Sequence, residues 1–195
     1  GVQTCALPIL MVGCSKPIDE KNLMEKDGLK FETNKETPFN GKTVSTYDNG
    51  QKELEGSYRD GEKYGQFTYW FKNGQKLKEG TYKNGKEDGK WIYWERNGQK
   101  KEEGTFKDGK REGLYSSWFE DRQKKEEGTF KDGKEDGLLT TWYVNGQKMK
   151  EGIYKDGEED GLWTTWYVNG HKSGESTYKD GKRDGLSTSW YENGQ

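Results

Sequence analysis

The sequence predicts an all-β fold, an elongated antiparallel meander of 24-residue β-hairpin repeats forming an open, curved or twisted sheet. Three observations predict it. Glycine returns every 24 residues at Gly41, Gly65, Gly89, Gly113, Gly137, Gly161 and Gly185, with nearly the same text in each interval. Each interval holds two strand-like runs separated by turn signals, Asn-Gly first and usually Asp-Gly second. A glycine every few residues also makes a helix untenable, because each interior glycine costs a helix about 1 kcal/mol relative to alanine.

Composition narrows the class further. Hydrophobic residues make up 27% of the chain and charged residues 35%, but the formal net charge is only −2 and aromatics reach 14%. Disorder needs high net charge and few rings, so the chain reads as folded. Leu, Ile and Val are scarce, which argues against a large two-layer core, and Trp, Tyr and Phe must supply the buried area. Charges of both signs alternate in blocks such as Lys100-Lys101-Glu102-Glu103, a solvated surface with no bias toward nucleic acid.

The N-terminal text is different. Residues 6–14 read ALPILMVGC, and Met11-Val12-Gly13-Cys14 resembles a bacterial lipobox. The apolar run is too short to span a bilayer and suits the core of a signal peptide. Residues 1–13 are therefore expected to be a partial signal peptide, with Cys14 the lipid-attachment residue and the first nine or so resembling translated sequencing-adapter text. Lipidation would anchor the chain at a bacterial envelope, facing away from the cytoplasm. A flexible spacer is expected over 14–27 and an atypical capping hairpin over 28–40, built on Leu29-Lys30-Phe31-Glu32 and Phe39.

Residues 41–195 hold six full units and part of a seventh, each numbered here from its glycine as position 0. Positions 1–6 are rich in rings and β-branched residues, as in Leu162-Trp163-Thr164-Thr165-Trp166-Tyr167. Asn-Gly at positions 8–9 predicts a two-residue type I′ turn, which places position 6 opposite 11, 4 opposite 13 and 2 opposite 15. Position 2 is often a large ring and position 15 usually glycine, so a ring is expected to cover a cross-strand glycine. Six units of two strands and the start of a seventh give thirteen strands. Position 5 is Trp in six units, Trp70, Trp94, Trp118, Trp142, Trp166 and Trp190, on the face opposite positions 2 and 4. In the fourth unit Asp121-Arg122 replaces Asn-Gly, so that turn is expected to change type or loosen. The text stops at Gln195 after the seventh turn, which reads as a truncated fragment with an exposed sheet edge.

The unit GxWxxWYxNGQKKEEGTYKDGKxD resembles the MORN-type repeats of bacterial proteins of the YwqK antitoxin family, in register over 41–195. The resemblance implies hairpin repeats in an elongated curved sheet, scaffolding near membranes, and a protein toxin as partner. The residues point to no enzyme. His171 is the single histidine and stands where other units carry Gln, paired acids such as Glu102-Glu103 recur as surface text, and no metal, phosphate-loop or nucleophile motif occurs. No cofactor, metal, nucleic acid or small-molecule substrate is expected. The expected function is protein binding or scaffolding at a bacterial membrane. A cell-wall glycan stacked on the Trp and Tyr rings is the alternative, and direct lipid binding by the repeats is disfavoured by the near-zero charge. The six Trp residues are the candidate binding surface, weighed against a purely structural role in holding the sheet together.

Overall fold

The structure, a computed structural model, describes residues 16–195. In chain order the strands are β1 (Ile18–Asp19), β2 (Leu23–Lys26), β3 (Leu29–Glu32), β4 (Gly41–Thr46), β5 (Lys52–Arg59), β6 (Glu62–Lys63), β7 (Gly65–Trp70), β8 (Lys76–Lys83), β9 (Lys86–Glu87) and β10 (Gly89–Trp94). They continue as β11 (Lys100–Lys107), β12 (Lys110–Trp118), β13 (Lys124–Lys131), β14 (Lys134–Glu135), β15 (Gly137–Trp142), β16 (Lys148–Lys155), β17 (Glu158–Trp166), β18 (Lys172–Lys179) and β19 (Lys182–Ser189). One 17-stranded sheet takes every strand except the β2–β3 hairpin. Joining the halves split ahead of Gly65, Gly89 and Gly137 leaves the thirteen repeat strands expected, plus β1. The sheet is an open antiparallel meander. Hairpins pair internally, as in β7 with β8, and pair with the next unit, as in β8 with β10 and β13 with β15.

The repeating glycine earns its period by bending the strand. Gly65, Gly89, Gly113, Gly137, Gly161 and Gly185 all have φ between +78° and +112°, a region that L side chains rarely enter. At each unit boundary the ladder register shifts. Tyr58 pairs with Lys63, but Glu55 pairs with Thr68, so two extra residues are absorbed around Tyr64 and Gly65.

Pairing in the hairpin interior is as expected. Phe67 faces Gly80 and Tyr69 faces Lys78, positions 2 with 15 and 4 with 13. The turn end differs. Trp70 pairs with Lys76, so position 5 rather than 6 faces position 11. The reason is the turn. Gly74 N–H donates to the Phe71 carbonyl at 2.9 Å, and only Gly74 of the Asn73-Gly74 pair has positive φ. This is a three-residue loop with a glycine bulge, not the two-residue type I′ turn expected from Asn-Gly. The I′ signature belongs to the second turn, where Asp60 and Gly61 have φ of +50° and +80°, and the other units repeat it.

Asn still has a task in the first turn. The Oδ1 of Asn49, Asn73, Asn145 and Asn169 accepts from the backbone N–H two residues on, and the Nδ2 donates to a carbonyl of the next unit, as in Asn145 to Val168 at 2.7 Å. In the fourth unit Asp121 keeps the first bond, to Gln123 N–H at 3.0 Å. The turn there neither changes type nor loosens: Arg122 takes φ +73° and donates its N–H to the Phe119 carbonyl at 3.0 Å. A left-handed non-glycine residue costs about 1–2 kcal/mol. Arg122→Gly is therefore expected to stabilise the protein by about 1 kcal/mol, read as a rise in the thermal midpoint; an unchanged or lower midpoint would show that the arginine side chain compensates.

The expected spacer over 14–27 is not bare linker within the described residues. Ile18–Asp19 pairs in parallel with Thr43–Val44 and covers the outer edge of β4. Thr43 is fully buried and donates its hydroxyl to the Ile18 carbonyl at 3.0 Å. The capping hairpin is made of β2 and β3, so its first strand and the Asp27 half of its Asp27-Gly28 turn come from the segment expected as spacer. Sparse apolar residues hid this, yet Leu23 joins Phe39, Leu54, Tyr58 and Phe67 in the main buried cluster. The cap docks through Gly61, whose N–H donates to the Phe39 carbonyl and whose carbonyl accepts from Lys30 N–H, both at 2.9 Å. In later units the same turn amide donates to the previous unit, as Gly109 does to the Glu87 carbonyl at 2.8 Å. At the other end β19 pairs with β18 alone among the described residues, and its residues are exposed.

Candidate functional site: two faces of one sheet

The ring-lined face carries positions 2, 4, 13, 15 and 17. Phe67 and Trp91 at position 2 are fully buried, and Trp163 is nearly so. Edge-to-face contacts link each to the tyrosine at position 17, Phe67 with Tyr82 at 5.0 Å, Trp91 with Tyr82 at 4.9 Å and Trp163 with Tyr154 at 5.0 Å between centroids. Each ring lies over the glycine of the preceding unit, not over its cross-strand partner as the pairing had suggested. A Cβ on Gly56 would stand 2.3 Å from the Phe67 ring, on Gly80 2.2 Å from Trp91 and on Gly152 2.0 Å from Trp163. The rings lean across the strand pair toward the N-terminus. Where position 2 of the seventh unit becomes Ser187, the glycine before it becomes Ser176, and the two hydroxyls meet at 2.8 Å.

Cations sit among these rings. Lys63 Nζ is within 5.1–5.5 Å of the Phe67, Tyr69 and Tyr82 centroids and donates to the Tyr69 hydroxyl at 2.9 Å. Burial there lowers the Lys63 ammonium's pKa, and burial raises those of the Tyr58 and Tyr69 hydroxyls.

The opposite face carries the six tryptophans, each partly buried. The structure gathers them into one row and adds partners that the sequence reading missed. The lysine at position 11 of each unit lies over the Trp of the next. Lys52 covers Trp70 at 5.4 Å, Lys76 covers Trp94 at 5.4 Å and Lys100 covers Trp118 at 5.0 Å. Lys124, Lys148 and Lys172 repeat the contact on Trp142, Trp166 and Trp190 at 5.6–5.9 Å. The same lysines pair with Glu55, Glu79, Glu103, Glu127, Glu151 and Glu175. The signal was present in the sequence as an invariant spacing of Lys, Glu and Trp, but a neighbour 18 residues away is invisible without the inter-unit pairing.

These ion pairs are exposed and individually weak. They do carry a pH dependence. The Lys148 hydrogen bond, opposed by burial and aided by Thr140, holds the Glu151 carboxyl below its ordinary 4.5. A depressed carboxylate pKa gives stability that is present above 4.5 and lost as pH falls through the folded value. The thermal midpoint is thus expected to be flat from pH 7 to 5 and to fall below the ordinary carboxylate pKa. An Lys148→Met variant should show a shallower fall, and an identical one would remove the ladder from the explanation.

His171, standing in for Gln, places Nδ1 2.9 Å from the Glu192 carbonyl and so bridges two turns. Two clefts flank Trp94. One of 540 Å³ opens where Glu95 replaces the usual ring, and the other of 420 Å³ lies beside Trp118 and Arg122. The expected lipid-attachment residue, Cys14, lies outside the described residues, as does the rest of the signal-peptide reading.

The family model for the MORN repeat variant matches residues 63–84, 87–108, 159–180 and 183–195. Each match begins two residues before a repeating glycine, and the three longer ones run to the first residue of the next Asp-Gly or Asn-Gly turn. The matched units are similar to the MORN repeat variant. No curated protein shows significant similarity to the chain.

Proposed function

We propose that this chain is a non-enzymatic repeat protein that binds a protein partner across its extended sheet. The observation that carries this reading is that side-chain chemistry repeats with the backbone. The Lys-Glu-Trp row recurs six times along one face, so recognition groups are spread along a surface instead of converging on one reacting centre. Open faces of partly buried aromatics and mixed charge suit a macromolecule.

The finer reading follows the sequence. Lipidation of Cys14 would hold the sheet at a bacterial envelope, and the resemblance to the YwqK family suggests a toxin as the protein bound. Capture from the source cell, followed by titration of the purified captured protein, tests the binding reading. The expected result is one protein that binds stoichiometrically to residues 16–195. Retention on peptidoglycan, reversed by competing sugar, with no stoichiometric protein would replace this reading by the glycan one. Palmitate-analogue labelling that is equal in the full chain and in Cys14→Ser would remove the anchor.

A further inference from the structure

Positions 13 and 22 of one unit meet on the ring-lined face, and in three units they form an ion pair over aromatic rings. In the second unit Lys78 lies 3.8 Å from Glu87 and 5.0 Å from the Trp91 centroid. In the third unit the signs are exchanged: Arg111 lies 3.3 Å from Glu102 and 4.2 Å from the Tyr115 centroid. In the fifth, Lys150 lies 2.9 Å from Glu159 and 4.1 Å from the Trp163 centroid. The fold thus shows three times what this place holds, namely one carboxylate and one side-chain cation.

The fourth unit breaks the rule. Both positions are glutamate, Glu126 and Glu135, and neither has an ion-pair partner among the described residues. The cations on either side are committed, Arg111 to Glu102 and Lys150 to Glu159. Directly across the ladder from Glu126 stands Thr141, whose Oγ1 is buried and has no hydrogen-bond partner. Position 2 of the following, fifth unit is Leu139, where units two, three, four and six carry a ring. Burial raises the Glu126 pKa, with Glu135 and Glu102 adding to it against Lys125 and Arg111.

We propose that Glu126, Glu135 and the Thr141 hydroxyl form a subsite on the ring-lined face that accepts a basic side chain, a lysine ammonium or an arginine guanidinium, of the protein partner. The inference rests on the protein-binding reading and adds the face and the chemistry recognised. An organic cation suits it better than a metal ion, because among the described residues no third Asp, Glu, His or Cys joins the pair. The partner's cation would lie between the Phe130 and Tyr154 rings, as this chain's own cations lie among rings in the neighbouring units.

The test titrates residues 16–195 with a lysine hexapeptide and follows the methyl resonances of Thr141 and Leu139. The wild type is expected to show saturable shifts. Glu135→Lys, which installs the missing cation within the chain, should weaken binding at least tenfold while raising the thermal midpoint by about 2 °C. Glu126→Gln with Glu135→Gln should also lose binding and keep the fold, and Glu120→Lys, on an exposed turn, should bind as wild type does. Absent shifts, equal affinity in wild type and Glu135→Lys, or the same methyl shifts from calcium chloride alone would each overturn the proposal. If the captured partner binds Glu135→Lys unchanged, the subsite fails and the protein-binding reading stands. If no partner is captured, the hexapeptide titration still decides the subsite.

Discussion

Trp91→Ala is expected to destabilise the protein by about 3–5 kcal/mol. The indole is fully buried, lies against the bare backbone at Gly80 and donates Nε1–H to the Thr81 carbonyl at 3.1 Å. Removing it empties the centre of the contact between the second and third units, where few other apolar groups can collapse into the space. At about 2–4 °C per kcal/mol for a chain of this size, the midpoint should fall by roughly 6–20 °C. Trp190→Ala, at the far end of the opposite face, removes a partly exposed ring covered by Lys172 and should cost much less. Urea denaturation followed by circular dichroism compares the two. Equal losses would mean that the ring-lined face is not the core.

The second large effect comes from adding one methyl group. A Cβ on Gly152 would stand 2.0 Å from the Trp163 ring, which is only 3% exposed and has nowhere to go. Gly152→Ala is expected to cost about 1–3 kcal/mol by overpacking. Gly104→Ala makes the same change where Tyr115 stands at an ordinary 3.5 Å, so it should be near neutral. The rescue is the sharper test. Gly152→Ala in a Trp163→Ser background should cost almost nothing, because Ser176 and Ser187 already form that kind of pair one unit on. A coupling energy near zero in this double-mutant cycle would mean that ring and glycine are not partners.

Much of the architecture was legible in the text. The glycine period, the two hairpin turns per unit and the alternation of rings set the strand number and the interior register, because these are local properties of a β-hairpin. The failures share a cause. The letters Asn73-Gly74 signal backbone angles alone, whereas the Asn side chain works through hydrogen bonds, one of them to the next unit. The ladder sets the ring at position 2 opposite the glycine at position 15 of its own unit, but side chains lean along the sheet, and Trp91 leans onto Gly80 of the unit before. The segment at 18–26 reads as spacer because it carries few apolar residues, yet one of them, Leu23, is buried with Phe39, Leu54, Tyr58 and Phe67. The lysines over the tryptophans and the unmatched Glu126 and Glu135 were in plain view as letters. They acquire meaning only when neighbouring units are placed side by side.

The central claim is that successive units join edge to edge into one sheet, and amide hydrogen exchange on residues 16–195 tests it most directly. The decisive amides are those between units, around Lys78, Glu79, Ile92 and Tyr93, and around Glu126, Glu127, Thr140 and Thr141. The structure predicts protection there equal to that inside the hairpins, for example around Phe67 and Gly80, declining only toward β19. Protection inside each hairpin, with the amides between units exchanging as fast as those of the turns, would contradict it.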